Sequence, residues 1–92
     1  MHAPTGALSF DSVTALLAGS RGWFAPGADV VIDLAGVTQA DSAGVALMVE
    51  WLRLARRAGG RAEFRNVPAQ VRNLIAVSGL GEALLGAAPG RA

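Results

Sequence analysis

The residues Asp41-Ser42-Ala43-Gly44 are the stretch of this sequence best suited to chemistry. They follow the β-branched run Val30-Val31-Ile32 and precede a long apolar-periodic segment, so a buried strand and a helix should flank them. Asp and Ser are preferred at helix N-caps, where a side-chain oxygen accepts a hydrogen bond from a free backbone amide. The sequence therefore predicts a hydroxyl, flanked by an acid and a glycine, at the start of a helix.

The same physics supports two interpretations of Ser42. In the first, Asp41 and Ser42 simply cap the helix, which stabilises it by about 1 kcal/mol. In the second, the free amides and the positive dipole end favour a phosphoryl group or an acidic partner group at Ser42, and Gly44 leaves room for close approach. A phosphoryl group on Ser42 would add roughly −1.5 to −2 charges without unfolding the helix. Residue types alone leave both interpretations open.

The sequence offers few residues suited to nucleophilic catalysis or to metal binding. The sequence has no cysteine and a single histidine, His2. The serine context Ala40-Asp41-Ser42-Ala43-Gly44 is not the G-x-S-x-G elbow, and no histidine is at hand to act as its base. We therefore expect no enzymatic activity, no metal and no cofactor. A small enzyme or ligand-binding domain, the remaining hypothesis from another class, would have to use Asp33, Asp41 and scattered arginines.

Composition limits the partners and the location. The net charge is +1, which is too weak to indicate nucleic-acid binding, and all eight basic residues are arginine. No apolar run approaches the roughly 20 residues that cross a bilayer, and the N-terminus lacks the pattern of a signal peptide. We therefore expect a cytoplasmic protein that does not insert into the membrane.

Hydrophobic periodicity and turn signals predict a single α/β domain over residues 1–92, with a mixed sheet covered by helices. The ends, 1–6 and 87–92, are expected to be flexible. The predicted elements are strands at 7–10, 30–34 and 62–67, helices starting at 11 or 12, at 42 and at 68, and a last turn or helix at 82–85.

The helix predicted over 42–58 carries apolar residues on two faces, so one face needs a cover other than the sheet. Trp51 on the second face suits either the core or a partner anchor. The arginines at the end of this helix favour its dipole and a solvated surface. The first face comprises Val45, Met48, Val49, Leu52 and Ala55, and the second comprises Ala43, Leu47, Trp51 and Leu54.

With the strand, the turn and the helix assembled, the segment 29–85 resembles a STAS domain, a family that includes anti-sigma factor antagonists and the cytoplasmic tails of some anion transporters. The order and spacing of the matching pieces over about two-thirds of the chain make the resemblance fairly specific. The pieces are Ile32-Asp33-Leu34, Val37, Asp41-Ser42-Ala43-Gly44-Val45 and Pro68 through Val71 to Ser78-Gly79-Leu80, extended by Leu8-Ser9-Phe10-Asp11-Ser12-Val13.

Within that family the chain is most similar to the MlaB-like subunits, through its size and the helix segment 47–55. This resemblance implies a non-catalytic subunit that binds and supports the cytoplasmic ATPase of an Mla-type phospholipid-transport ABC system, which maintains outer-membrane lipid asymmetry. The chain would then lie at the inner face of the inner membrane. The alternative is an anti-sigma factor antagonist, in which a partner serine kinase phosphorylates Ser42.

Both alternatives put function in a protein–protein contact. The predicted partner-binding surface comprises Asp41, Ser42, Ala43, Gly44, Leu47, Trp51 and Leu54, with arginines as a polar rim. STAS domains usually begin with one or two strands before the first helix, and few residues precede Phe10 here. A shortened or missing N-terminal strand would leave a sheet edge exposed, through which a second copy could pair.

Overall fold

The β-branched run predicted as a buried strand forms β2, Asp29–Asp33, in a computed structural model that describes residues 1–81 and 84. It pairs in parallel with β4, Arg61–Arg65, in register from Asp29↔Arg61 to Asp33↔Arg65. Val30 and Ile32 point into the core, and their neighbours along the strand are more exposed. This is the period-two burial expected of a strand that is covered mainly on one face.

The N-terminal segment joins this pair of strands to a second pair. The backbone of His2 bonds to both Val31 and Asp33 at distances of 2.8 and 2.7 Å. Four residues later the same segment forms β1, Gly6–Leu8, which pairs in parallel with β3, Val37–Ala40. His2 and Gly6, which lie in the segment 1–6 that the sequence predicts to be flexible, are therefore both part of strand pairing.

The α/β class and the short N-terminal strand are confirmed, but the expected mixed sheet is not. Every strand pairing in the described part of the chain is parallel. The sequence prediction also missed β3, which lies between the strand predicted at 30–34 and the helix predicted from 42. Among the described residues, β3 and β4 each pair with one strand, so each leaves an edge. The edge strand β4 exposes Arg61, Glu63 and Arg65, and such charges oppose the addition of another strand.

Three helices pack on the strands: α1, Val13–Ser20, α2, Ser42–Arg57, and α3, Ala69–Ser78. Pro68 is the N-cap of α3, and Gly79 ends it with a left-handed φ of 78°. Of the predicted element at 82–85, only Leu84 is described, and its side chain is buried. No helix in the described residues is long and apolar enough to cross a membrane.

The core is centred on Trp51, which lies between Trp23 and Phe64 with ring centroids 5.5 and 6.3 Å away. Its indole N–H donates a 2.8 Å hydrogen bond to the hydroxyl of Ser20, a buried residue at the end of α1. This bond satisfies a polar group that would otherwise be buried without a partner. Packing around Trp51 therefore fixes α1 against α2. The other fully buried large side chains are Leu8, Ile32, Leu34, Met48, Ile75 and Val71.

Candidate functional site

Asp41 fixes the start of α2 and ties it to the turn before α1. Its Oδ1 accepts hydrogen bonds from the backbone amides of Ala43 (2.9 Å) and Gly44 (3.2 Å), as expected of an N-cap. Its Oδ2 accepts a third, 3.1 Å bond from the amide of Phe10, in the turn that follows β1. One carboxylate thus holds two loops in a fixed relation, which makes this end of the domain rigid.

These bonds also set the charge state of the cap. The amide of Phe10, followed by those of Gly44 and Ala43, holds the pKa of the Asp41 carboxyl below its ordinary value. Hydrogen bonds to the ionised form favour that form. Asp41 therefore stays negative at neutral pH, next to the hydroxyl of Ser42.

Ser42 is the first residue of α2, and its side chain is exposed. Because Asp41 supplies the capping bonds, the Ser42 hydroxyl does not have to cap the helix. The prediction of a hydroxyl at the start of a helix is confirmed, and the capping role belongs to the aspartate. A partner or a modifying enzyme can reach Ser42 without disturbing the cap.

Gly44 is buried, so the interpretation that it leaves room for an incoming ligand is wrong. A Cβ added at this position would collide with the backbone carbonyl of Leu8, at the end of β1. The amide of Asp41 also donates to that carbonyl, at 3.3 Å. The missing side chain therefore lets α2 approach β1, and the contribution of Gly44 to the site is the placement of Ser42.

The prediction for the apolar residues of the partner-binding surface is also wrong in part. Leu47 and Trp51 are 4% and 0% exposed, because this face of α2 packs on the aromatic core and α1. Ala43 and Leu54 are half-buried, and Leu54 packs against the same core. In the folded chain neither Leu47 nor Trp51 can serve as an anchor for another protein.

Among the described residues, an accessible apolar surface lies in a groove between α2 and α3 with a volume of about 540 Å³. Ser42 is at one end of its α2 side, and Glu50 and Arg53 are at the other, 3.5 Å apart as an ion pair. Between those ends its wall is formed mainly by Val45, Val49, Leu74, Val77 and Leu80. The groove therefore presents an apolar wall, with polar groups at both ends of its α2 side.

Two exposed apolar side chains near Ser42 were not among the predicted site residues. Phe10 is 78% exposed in the turn whose amide binds Asp41, and Val77 is 89% exposed on the α3 wall of the groove. Single exposed apolar residues are common on protein surfaces. These two lie on elements that meet the start of α2, and exposed aromatic residues often anchor protein contacts. The apolar run 7–10 gave no signal that Phe10 would be exposed. Helical spacing could have identified Val77, because it lies off the face formed by Val71 and Ile75.

Asp33, the other carboxylate considered for ligand binding, also binds local groups. Its Oδ1 accepts bonds from the amide of Ala35 (2.9 Å) and the side-chain amide of Asn66 (3.1 Å). These bonds, led by that of Ala35, lower the pKa of Asp33. Asp33 and Asp41 are therefore each engaged in holding a loop.

The family of the chain follows from a comparison with protein-family models. The model described as "Mlab, STAS domain" matches residues 5–86, which include every helix and strand described above. The chain belongs to the STAS domain family. No curated protein matches this STAS domain. The resemblance noted in the sequence is thereby confirmed at the level of the family, and the family suggests a regulatory or binding domain.

This STAS domain can present a hydroxyl on a rigid support next to accessible apolar surface. The support is the Asp41 cap and the close approach of Gly44 to Leu8. The apolar surface is the α2–α3 groove on one side and Phe10 on the other. A hydroxyl on a rigid support beside apolar area is suited to recognition of another protein.

Proposed function

We propose that this STAS domain is the non-catalytic subunit that binds and stabilises the cytoplasmic ATPase of an Mla-type phospholipid-transport ABC complex. The observation that carries the proposal is the exposed Ser42 at a rigidly capped helix start, beside an apolar groove. The description of the matching family model names MlaB, which supports the MlaB-like resemblance from which this partner is proposed. The domain would then lie at the cytoplasmic face of the inner membrane without inserting into it.

The contact surface that we propose differs from the one predicted from sequence. It keeps Ser42 and the cap residue Asp41, and it replaces the buried Leu47 and Trp51 by Phe10 and the groove. A pre-organised surface loses little conformational freedom on binding, which favours affinity. The domain would bind the ATPase through this pre-organised surface and so support the fold and assembly of the ATPase.

The test is to co-express the chain with the ATPase subunit of the Mla-type transporter encoded in the same genome. We expect the two to elute together in size-exclusion chromatography. Ser42→Glu should weaken the complex, whereas Ala69→Glu should not. Both residues are exposed and each begins a helix, so the two variants are matched in helix position and charge. Independent elution of the wild-type chain and the ATPase would contradict the proposal.

One observation favours a second function, that of an anti-sigma factor antagonist switched by phosphorylation of Ser42. The hydroxyl is exposed and does not cap the helix, so a serine kinase could reach it. A phosphoryl group there would change the surface charge and leave the cap in place. Under this alternative, intact mass spectrometry of the chain from its native cells shows a phosphorylated fraction that disappears in Ser42→Ala. Such a fraction, together with an anti-sigma factor as partner, would replace the transport proposal.

Self-association through a sheet edge remains a separate prediction. The outer edge of β3 is short and carries no charged side chain, so it suits pairing better than the charged edge of β4. A light-scattering concentration series that stays at the monomer mass throughout would contradict it.

A further inference from the structure

The α2–α3 groove has a shape and charge pattern that define the kind of segment it can take. Ser42 and Arg53, at opposite ends of its α2 wall, are separated along the helix by about 16 Å at a rise of ~1.5 Å per residue. That length corresponds to about three turns of a second helix. A helix that lies in a groove of this kind presents apolar residues at i, i+3 or i+4, and i+7.

The charges at the two ends of the groove are opposite. At the Ser42 end is the carboxylate of the cap residue Asp41, which accepts hydrogen bonds from three backbone amides. Its full negative charge outweighs the roughly half positive charge of a helix N-terminus. At the other end Arg53 is partly neutralised by Glu50, but the exposed Arg56 and Arg57 follow in the last turn of α2. The groove is therefore acidic at one end, apolar in the middle and basic at the other.

We propose that this groove binds an amphipathic helix of the partner ATPase. The basic end of the partner helix would lie over Asp41, and the acidic end of that helix would lie over Arg56 and Arg57. This inference rests on the proposed function and names the segment that the site recognises. Val77, 89% exposed at the wall of the groove, would become buried against the apolar face of that helix.

Shape favours a helix over a second copy of this chain. Two copies that face each other through this groove would each present a concave apolar wall, which leaves apolar volume unfilled. A convex helix fills such a space, and close packing is what makes apolar contacts stabilising.

The first experiment uses the co-purified complex with a photo-reactive phenylalanine analogue in place of Val77 or, as a control, of Ala76. Both positions are exposed on α3, and only Val77 lines the groove. We expect Val77 to crosslink to one ATPase segment with apolar residues at helical spacing, and Ala76 to give at least tenfold less product. A crosslink to a segment without that spacing, to a second copy of this chain, or to nothing overturns the inference.

Affinity measurements with the same ATPase separate this inference from the proposed function. We expect Val77→Asp to weaken binding at least tenfold and Ala76→Asp less than threefold. Arg56→Glu with Arg57→Glu should weaken it, and exchanging acidic for basic residues at the matching end of the ATPase helix should restore it. If Val77→Asp binds as the wild type does, the groove inference fails while the proposed function stands. If the wild-type chain does not bind the ATPase, the proposed function itself fails.

Discussion

Gly44 in the first turn of α2 lies directly against the backbone carbonyl of Leu8 at the end of β1. The same carbonyl accepts a hydrogen bond from the amide of Asp41, so β1 and the start of α2 meet at one atom. Since Asp41 also binds the amide of Phe10, the exposed Ser42 is supported on both sides by the segment 8–10. The position of Ser42 thus depends on how closely a helix can approach a strand.

This relationship predicts that Gly44→Ala destabilises the domain. Ala is the better helix former by about 1 kcal/mol, but its methyl group would overlap backbone that cannot move aside easily. Overpacking of this kind costs about 1–3 kcal/mol, so we expect a net loss of stability in urea unfolding. Gly19→Ala in α1 is the matched control, because an added Cβ there meets open space. That variant should be as stable as the wild type or more so, and an equally stable Gly44→Ala would contradict the close approach.

The sequence was sufficient to predict the order of most elements, because their apolar periods and end signals are local. The strand β3 was missed because Val37 is its only buried residue, which leaves no alternation to detect. The direction of Trp51 could not be predicted either, because α2 is apolar on two faces and tertiary packing decides which one meets the aromatic core. Likewise, the glycine at position 44 indicated that another group lies close to the start of the helix. It did not indicate that this group is a strand of the same chain.

The hydrogen bond between Trp51 and Ser20 predicts a stability effect at a position that sequence patterns associated with partner binding. Trp51→Ala should cost about 3–5 kcal/mol, because it removes the largest buried side chain of the core. Ser20→Ala leaves the indole N–H without this acceptor and should cost about 1–3 kcal/mol. The free energy of unfolding of the Ser20 variant is measured by urea unfolding monitored by tryptophan fluorescence. For the Trp51 variant the same unfolding is monitored by circular dichroism. A Trp51→Ala chain as stable as the wild type would contradict the burial of this side chain.

The lowered pKa of Asp41 predicts a specific dependence of stability on pH. As the pH falls, the folded state takes up this proton later than the unfolded state does. The stability contributed by Asp41 is therefore full above the unfolded aspartate pKa of about 3.9 and is lost as the pH falls through the lower folded value. Asn can accept the bonds from Ala43 and Gly44 through its one amide oxygen, but its NH2 group cannot accept the bond from Phe10. Because Asn does not titrate, Asp41→Asn should lose less stability than the wild type on acidification.

Unfolding midpoints in urea between about pH 6 and pH 3 measure this slope. Asp33→Asn should reduce the slope in the same direction, since the pKa of Asp33 is also lowered, first by the amide of Ala35. The double variant should have the smallest slope of the four proteins. If Asp41→Asn and the wild type lose stability in parallel, the bonds to Asp41 do not favour its ionised form.

Phe10 is expected to matter for binding and not for folding. Its side chain is 78% exposed, so Phe10→Ser should leave the free energy of unfolding within about 0.5 kcal/mol of the wild-type value. If the aromatic ring anchors the ATPase, the same change should weaken binding by about 2 kcal/mol, or roughly thirtyfold. Phe10→Leu should retain part of the affinity because it keeps apolar area. Unchanged affinity in isothermal titration of the Phe10→Ser variant would remove Phe10 from the contact surface.

Ser42 gives the prediction that distinguishes a contact residue from a helix cap. Because Asp41 makes the capping bonds, Ser42→Ala should change stability by no more than about 0.5 kcal/mol. The same variant should weaken ATPase binding modestly, and Ser42→Glu more strongly, since a second negative charge beside Asp41 adds repulsion and bulk at the interface. Urea unfolding and titration of the ATPase measure the two effects separately. A large loss of stability in Ser42→Ala would return Ser42 to a capping role, and unchanged binding by both variants would place the contact elsewhere on the domain.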